Sequence, residues 1–417
     1  MLSPALVGPL SWAITMHVLF YHQNFPAQFG HIARVLAARP GWRVTCVSKD
    51  GPPEAPGVTR ILYKPAGGAT DRTHYCARTF ENQVAHSHGL FQALAARPDI
   101  RPDLVVGHSG FGSTLYLREL YDCPQISYFE YFYRIAGSDL DFRPDVQTDT
   151  LDKLRARTRN AGLLLDLDNC DAGYSPTRWQ RDKLPAVYHP KVRVIFDGVD
   201  TNVWQPGPKT PRTAGRFTFP DGLKLVTYAA RGLESVRGFD IFMKFAKALG
   251  QRRDDVRFVV VGSDRICYGG DEKRTGGKSY KQWILDQDQY DLTRFAFLGQ
   301  VPPTTLARLF QLSDLHVYLT VPFVLSWSLF DALACGATVL ASDTGPVRDL
   351  VTHGKTGLLH DFFDPEGMAA AADKVLSDPA QYAPLGAAGA DLIRERYSLD
   401  VCLPQLVGLF DEVARRG

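Results

Sequence analysis

The chain has 417 residues, of which 45% are hydrophobic and 22% are charged, and its formal net charge is +2. This length is comfortable for two domains, and the near balance of charges excludes the strongly basic surface of a typical nucleic-acid-binding protein. The seven cysteines include no close pair, so the sequence predicts neither a zinc site nor a disulfide framework and indicates a reducing, cytoplasmic environment.

Residues 1–15 are mildly apolar and contain no basic residue, whereas a secretory signal begins with positive charge. We interpret them as a disordered extension, or as the product of a misplaced start codon, ahead of a first strand that begins after Met16. No run of 18 apolar residues occurs, so the sequence predicts no transmembrane segment.

Short β-branched or aromatic runs alternate with helical periodicity along the chain. Six predicted strands lie in the first half, at residues 18–21, 44–47, 104–107, 126–129, 172–175 and 192–195, and six lie in the second half, at residues 225–229, 258–262, 295–299, 315–319, 338–342 and 357–360. Short, almost entirely apolar strands separated by helices predict parallel sheets covered on both faces. Twelve such strands are too many for one comfortable open sheet.

The break between the two sets of strands falls at residues 201–223, which are rich in Pro, Gly and Thr and read as a linker. The predicted domains are therefore two Rossmann-like units at residues 16–200 and 201–398. A final helix over residues 399–417 is expected to pack back on the first domain. Residues 264–279 are polar and glycine-rich, which predicts a mobile surface loop.

Ligands of parallel sheets bind at the carboxyl ends of the strands, where helix N-termini offer free N–H groups. After the first strand, Gly30 permits close backbone approach and Gln28 can face a phosphate or an acceptor; an ordinary turn is the alternative. After the first strand of the second half come Arg231 and Arg237, whose guanidinium forks suit a diphosphate. The alternative is that both arginines are solvated on a turn.

A third junction, in residues 318–343, has the most informative pattern. Ser326 is placed to cap a helix, which leaves the following N–H groups available to phosphate oxygens. Asp331 lies five residues further on, where a carboxylate can reach a ribose diol. A purely structural helix remains the alternative, although Asp331 among apolar neighbours would need a partner.

These residues resemble the retaining, family-four glycosyltransferases of group 1, which have the GT-B fold. That family shows Glu, seven residues and Glu before Ala-Met-Ala-Cys-Gly; here Phe323 and Asp331 stand at the two Glu positions, and residues 332–336 read ALACG. Residues 191–204 and 354–365 also resemble family segments. The resemblance implies an α/β protein in which two facing Rossmann-like domains with parallel sheets enclose a cleft.

The resemblance also implies roles for individual residues. Arg231 and Arg237 would hold the diphosphate and support catalysis, with Arg237 in place of the usual Lys. His108 stands where members often have a pocket histidine that faces the sugar. The alternative is an ordinary surface histidine, which is the more common case in a loop. Glu130 either orients the acceptor or pairs with Arg134. Further donor contacts are implied for Gly30, Gly299, Val301, Leu325, Ser326, Trp327, Ser328 and Asp331, and acceptor contacts for Gln28 and Glu130.

The implied reaction transfers a sugar from a nucleotide-diphosphate sugar to an acceptor hydroxyl with retention of configuration, without a metal or another cofactor. The acceptor could be a sugar, a glycan, a lipid-linked or an aromatic molecule, and peripheral membrane contact is left open. Phe323 cannot accept a hydrogen bond, so we expect a less polar donor, for instance a deoxysugar. Two alternatives are an epimerase or phosphorylase of the same fold, and a non-catalytic nucleotide-binding partner or sensor.

Two other motifs are interpreted as structural. Asp166 and Asp168 spell the Asp-x-Asp signature of the other major glycosyltransferase fold, but they are expected at a solvated helix end or cap. His86 and His88 point to different faces of a helix and have no carboxylate at metal-binding spacing.

Overall fold

A computed structural model describes residues 16–49 and 56–416, so the predicted disordered extension at residues 1–15 lies outside the described residues. The chain separates into two compact units. Unit 1 contains the residues up to Tyr133, Asp149–Asp197 and the residues from Leu403 onward, whereas unit 2 contains Arg134–Thr148 and Gly198–Cys402.

Unit 1 is built on a parallel sheet of seven strands in the order β3-β2-β1-β4-β5-β6-β7. The strands are β1 Met16–Tyr21, β2 Trp42–Ser48, β3 Val58–Leu62, β4 Leu104–His108, β5 Gln125–Tyr128, β6 Ala172–Ser175 and β7 Val192–Val194. Six of them confirm the sequence prediction, and β3 was missed. Because β3 is an edge strand with Thr59 and Leu62 exposed, it lacks the continuous apolar run of a buried strand.

Unit 2 is built on a parallel sheet of six strands in the order β12-β11-β10-β13-β14-β15, with a separate two-stranded hairpin, β8-β9. The strands are β8 Thr213–Ala214, β9 Phe217–Thr218, β10 Lys224–Gly232, β11 Val256–Ser263, β12 Phe295–Gly299, β13 Leu315–Tyr318, β14 Val339–Ser342 and β15 Leu358–His360. All six predicted strands of this half are confirmed, and the hairpin lies inside the stretch predicted as a linker.

The helices alternate with the strands, as a parallel sheet requires. They are α1 Gly30–Ala37, α2 Arg78–Ala95, α3 Asp139–Phe142, α4 Thr150–Arg159, α5 Ala161–Asn169, α6 Arg178–Asp182, α7 Phe239–Arg252, α8 Tyr280–Leu285, α9 Pro303–Leu312, α10 Trp327–Ala334, α11 Gly345–Arg348, α12 Pro365–Ser377, α13 Pro379–Arg396 and α14 Leu399–Ala414. No helix among the described residues is both long and apolar enough to cross a lipid bilayer.

The last helix completes the core of unit 1. Leu406, Leu409, Phe410 and Val413 of α14 are buried among side chains of β1, β2 and α1. The ring of Phe410 lies 6.0 Å from that of Phe20. The two ends of the described chain therefore share one hydrophobic core.

Residues 134–148 belong to unit 2, although the sequence analysis placed them in the first domain. The guanidinium of Arg143 is buried there and donates to both carboxylate oxygens of Asp240, at 3.0 and 2.5 Å, and to the carbonyl of Ser235 at 3.1 Å. The adjacent ring of Phe142 packs against Phe362 at 5.3 Å. A buried ion pair and ring packing thus explain the difference from the predicted boundary.

Candidate functional site

The turns that follow β10 and β13 are joined by one buried arginine. Arg237, in the turn between β10 and α7, is only 3% exposed, and its Nη1 donates to the hydroxyl of Thr320 and the carbonyl of Val324, both at 2.9 Å. Since β10 and β13 are neighbours in the sheet, their carboxyl ends lie side by side. Arg237 therefore lies at the edge of the sheet where parallel α/β folds bind anions.

Arg237 is unusual because its buried charge has no carboxylate at ion-pair distance among the described residues, although it acts electrostatically on the buried Glu234. Among the described residues, no carboxylate forms an ion pair with it, whereas the equally buried Arg143 pairs with Asp240 at 2.5 Å. A buried charge without a counter-ion is costly unless a ligand compensates it. This arrangement fits an anionic ligand, and it shows that the alternative of two solvated arginines is wrong for Arg237.

Arg231 has a different environment. It lies near the end of β10 and is exposed, and its Nη1 donates to the hydroxyl of Tyr268 at a long 3.4 Å. The cationic groups of Arg231 and Arg237 both lie beside the Tyr268 ring, with 6.0 and 5.2 Å between each guanidinium carbon and the ring centre. The structure thus brings the two predicted arginines together around one aromatic side chain.

The N-terminus of α10 lies at the same edge of the sheet. The Ser326 side chain accepts from the Ser328 amide at 3.3 Å, which confirms the predicted cap. The Ser328 hydroxyl donates to the carbonyl of Ala229 in β10 at 3.2 Å. The Ser326 amide itself donates to the Tyr318 hydroxyl at 2.8 Å.

Two of the four predicted phosphate-binding amides are therefore already hydrogen-bonded within the chain. The amides of Ser326 and Ser328 have intramolecular acceptors, so a phosphate would compete with bonds inside the chain for these two donors. Leu325 is buried, whereas the side chain of Trp327 is exposed.

Asp331 lies in the second turn of α10. It is partly buried, and its carboxylate makes no hydrogen bond with any described residue. Burial raises the pKa of Asp331 well above its ordinary value. The partner that the sequence analysis expected is thus not supplied by the described chain, which fits a hydroxyl-bearing ligand.

The residues predicted to hold the base lie at the end of β12. Gly299 pairs with Val261 of β11 and has a φ of +67°, a conformation that favours glycine. Within the described part of the chain, no hydrogen bond or ring contact joins Gly299 or Val301 to Arg237. Their role stays a prediction.

In unit 1, the structure brings together three other predicted residues. His108 ends β4 and is 1% exposed, and its Nε2 lies 3.7 Å from the Glu130 carboxylate. The other oxygen of Glu130 accepts from the Gln28 side chain at 3.1 Å. These side chains form the His108 cluster, consisting of His108, Glu130 and Gln28.

The hydrogen bonds of His108 define its chemistry. Its Nδ1 accepts from the amides of Gly110 and Phe111, at 3.2 and 3.3 Å, so the network assigns the proton to Nε2. Burial, and secondarily the charge of nearby His22, lowers the pKa of His108 well below its ordinary value. The imidazole is therefore a neutral donor from Nε2, which makes it unsuited to act as a general base.

Two further residues complete this region. The ring of His22, which the sequence analysis did not single out, lies 5.0 Å from that of His108, and burial lowers the His22 pKa to about 4. Gly30 is the first residue of α1, and a Cβ there would lie 2.9 Å from the Pro26 side chain. The lack of a side chain at Gly30 thus serves the turn, and its contact with the donor stays a prediction.

The loop after His108 is fastened by a buried acid. Asp166 of α5 accepts from the hydroxyls of Ser109 and Ser113, both at 2.7 Å, and has no solvent exposure. The expectation of a solvated helix end is therefore wrong for Asp166. Burial raises its pKa to about 6, despite these two hydrogen bonds. Asp166 thus positions the loop whose amides donate to His108.

We expect Asp166→Asn to change how stability depends on pH. The pKa of Asp166 is about 6 in the folded protein, against 3.8 for an ordinary aspartate, so folding disfavours the charged form. The contribution of Asp166 to stability is therefore greatest below about pH 4 and falls as the pH rises towards 6. An amide stays neutral and can still bond both serines. From pH 4 to pH 7, the free energy of unfolding should shift in favour of Asp166→Asn by roughly 2 kcal/mol.

Urea unfolding at both pH values measures this shift. Asp254→Asn, which changes a carboxylate that is 98% exposed, is the control and should show no such shift. If the free energy of unfolding depends on pH in the same way for the wild type and Asp166→Asn, the raised pKa assigned to Asp166 is wrong.

Two family models together match most of the chain. One, described as Glycosyl transferase family 4 group, matches residues 40–204, and the other, described as Glycosyl transferases group 1, matches residues 211–391. The chain belongs to the family-four, group 1 glycosyltransferases. The two Rossmann-like units with parallel sheets give this family member the GT-B fold.

Named relatives agree with this family. The D-inositol 3-phosphate glycosyltransferase of Thermobispora bispora is 25% identical over 271 residues, and the match covers 64% of this chain but only 61% of that protein. Sucrose-phosphate synthase from Thermosynechococcus elongatus has a TM-score of 0.72 at 18% identity, covering 96% of this chain and 99% of that one. Anabaena HepE in complex with UDP-glucose has a TM-score of 0.65 at 15% identity, covering 95% and 100%. The two solved structures show the shared fold.

Proposed function

We propose that this family member transfers a sugar from a nucleotide-diphosphate sugar to an acceptor hydroxyl with retention of configuration at the anomeric carbon. Unit 2 binds the donor in this proposal. Arg237, Arg231 and the N-terminus of α10 bind the diphosphate, and Asp331 accepts hydrogen bonds from the ribose. The His108 cluster of unit 1 is assigned to substrate hydroxyls.

The single observation behind this proposal is the buried guanidinium of Arg237, which has no acid partner among the described residues. A diphosphate would supply the missing negative charge, and arginine binds phosphate oxygens in bidentate geometry. The names of the relatives support the same chemistry. HepE was solved with UDP-glucose, and the curated relative is a D-inositol 3-phosphate glycosyltransferase.

The residues present suit catalysis by charge stabilisation. The bond from the anomeric carbon to the diphosphate oxygen breaks, its electrons stay on the diphosphate, and the arginines neutralise that charge. The acceptor oxygen bonds to the anomeric carbon on the face that the diphosphate leaves, and the acceptor proton passes to the departing diphosphate. His108 remains neutral and donates from Nε2 to a substrate oxygen, because its Nδ1 is already occupied. Positioning of the two substrates supplies the rest of the acceleration.

The cysteines support a cytoplasmic location for this reaction. All seven are free thiols, and six of them are buried. Buried, unpaired thiols are typical of proteins in a reducing compartment.

A thermal-unfolding panel tests the proposed donor class. UDP, GDP, ADP and dTDP would each be added, together with their glucose conjugates and with the pair GDP-mannose and GDP-fucose. One nucleoside diphosphate should raise the unfolding midpoint by several degrees, because a ligand at 100 times its Kd stabilises the fold by about 2.7 kcal/mol. A preference for GDP-fucose over GDP-mannose would support the less polar donor expected from Phe323.

The product gives the second measurement. NMR of the glycoside formed from a matched donor should show the anomeric configuration of that donor. Lack of stabilisation by any nucleoside diphosphate would contradict the proposal, and an inverted product would contradict retention alone.

A further inference from the structure

The loop that follows β11 is anchored by a completely buried carboxylate in the turn after β10. The Oε2 atom of Glu234 accepts from three successive amides, those of Cys267, Tyr268 and Gly269, at 3.0, 2.8 and 3.0 Å. Three amide donors on one carboxylate oxygen fix the path of the backbone. The composition of residues 264–279 predicts a mobile loop, but residues 267–269 are fixed by these bonds, with Tyr268 beside Arg237.

The end of β10 also requires glycine for this arrangement. A Cβ at Gly232 would lie 2.4 Å from the carbonyl oxygen of Arg265 and 2.8 Å from the sulfur of Cys267. The close approach of the two backbones therefore depends on Gly232. Both Gly232 and Glu234 thus serve to place Tyr268.

The ring of Tyr268 lies at the centre of the proposed diphosphate site. Its centre is 5.6 Å from that of Phe323, and the guanidinium carbon of Arg237 lies 5.2 Å from it. Arg237 also lies over the Phe323 ring, at 5.7 Å. Tyr268 nevertheless remains 41% exposed, and Phe323 is only partly buried. A large aromatic face that is held rigidly but left exposed, beside a buried cation that forms no ion pair, indicates a ligand-binding surface.

The chemistry of the proposed donor identifies what this surface contacts. A diphosphate held by Arg237 has a ring system attached at each end, the nucleoside at one and the sugar at the other. Aromatic side chains stack on nucleobases and also pack against the apolar C–H faces of sugar rings. Either ring, joined to the diphosphate by a short linkage, would come within contact distance of Tyr268.

We propose that Tyr268, supported by Phe323, is a donor-binding residue whose ring packs against the ring system attached to the diphosphate. This inference rests on the proposed function, since it takes the diphosphate at Arg237 as given. It assigns to the loop after β11 a part of the donor site that the sequence motifs did not contain. Glu234 is then a positioning residue, because it acts on the ligand only through Tyr268.

Titration calorimetry of Tyr268→Ala and Tyr268→Phe tests the inference. The probes are the nucleoside diphosphate selected by the thermal panel and its glucose conjugate. Tyr268→Ala should weaken binding about tenfold, since stacking on one aromatic ring is worth roughly 1–3 kcal/mol. Tyr268→Phe keeps the ring and should bind within about twofold of the wild type. If both probes weaken, the ring contacts the nucleoside, and if only the glucose conjugate weakens, it contacts the sugar.

If Tyr268→Ala binds both probes with the affinity of the wild type, the inference is overturned and the proposed function remains intact. If the wild type binds no nucleoside diphosphate, the proposed function fails first. Glu234→Gln is the second variant, and it should reproduce part of the loss seen in Tyr268→Ala because it weakens the anchor of the loop. Because Tyr268 is exposed, both Tyr268 variants should unfold at the wild-type midpoint when no ligand is present.

Discussion

Arg237→Met is expected to lower kcat/KM at least about 100-fold, because loss of one preorganised donor to developing charge costs roughly 2.7–4 kcal/mol. The ligand-free protein should nevertheless unfold near the wild-type midpoint. Methionine removes a buried charge that forms no ion pair, and this gain opposes the loss of the hydrogen bonds to Thr320 and Val324. Stability and activity should therefore respond very differently to this substitution.

Calorimetry with the selected nucleoside diphosphate, steady-state kinetics and thermal unfolding together measure this difference. Arg237→Lys keeps a positive charge without the planar fork and should fall between Arg237→Met and the wild type. Arg252→Met, which changes an exposed arginine at the end of α7, is the matched control and should behave as wild type. Near-normal turnover by Arg237→Met would exclude the diphosphate role.

Arg143→Met is expected to destabilise the protein by about 3–5 kcal/mol, the usual cost of leaving one member of a buried ion pair alone. The substitution leaves the Asp240 carboxylate buried and removes the donor to the Ser235 carbonyl. Because Ser235 belongs to the turn that contains Arg237, we also expect weaker binding of the nucleoside diphosphate. The double variant Arg143→Met/Asp240→Leu should recover part of the stability, since no unpaired charge remains.

Urea unfolding of the single and double variants measures both effects. The exposed pair Arg252–Glu366, with side chains 41% and 68% exposed, is the control, and its disruption should cost less than about 1 kcal/mol. A cost of that small size for Arg143→Met would show that residues 134–148 are not anchored by this ion pair.

The sequence predicted the parts of the fold that follow local rules. All six strands of the second sheet were found because each contains a short apolar run, which in the central strands is buried on both faces. The edge strand β3 was missed because exposed positions interrupt its apolar pattern. The placement of residues 134–148 depends on the pairing of Arg143 with Asp240, which are 97 positions apart, and no local pattern encodes such a contact.

The site residues also divide into those with a local sequence pattern and those that depend on contacts in the folded chain. Arg231, Arg237 and the Ser326 cap could be chosen because their residue types and their places after strands suit an anion. Glu234 lies between the two arginines in the sequence, so an acid within a cationic turn was a sign that could have been noticed. Tyr268 gave no such sign, because its importance comes from three backbone hydrogen bonds to Glu234. Those bonds exist only in the folded chain.

The position of α14 has a consequence for synthesis on the ribosome, where domains near the N-terminus usually fold first. Phe410 and its neighbours belong to the core of unit 1, yet they follow the whole of unit 2 in the sequence. During synthesis, part of the apolar interior of unit 1 therefore stays uncovered until nearly the whole of unit 2 has emerged from the ribosome. Unit 1, which begins before unit 2 in the sequence, is thus completed after it.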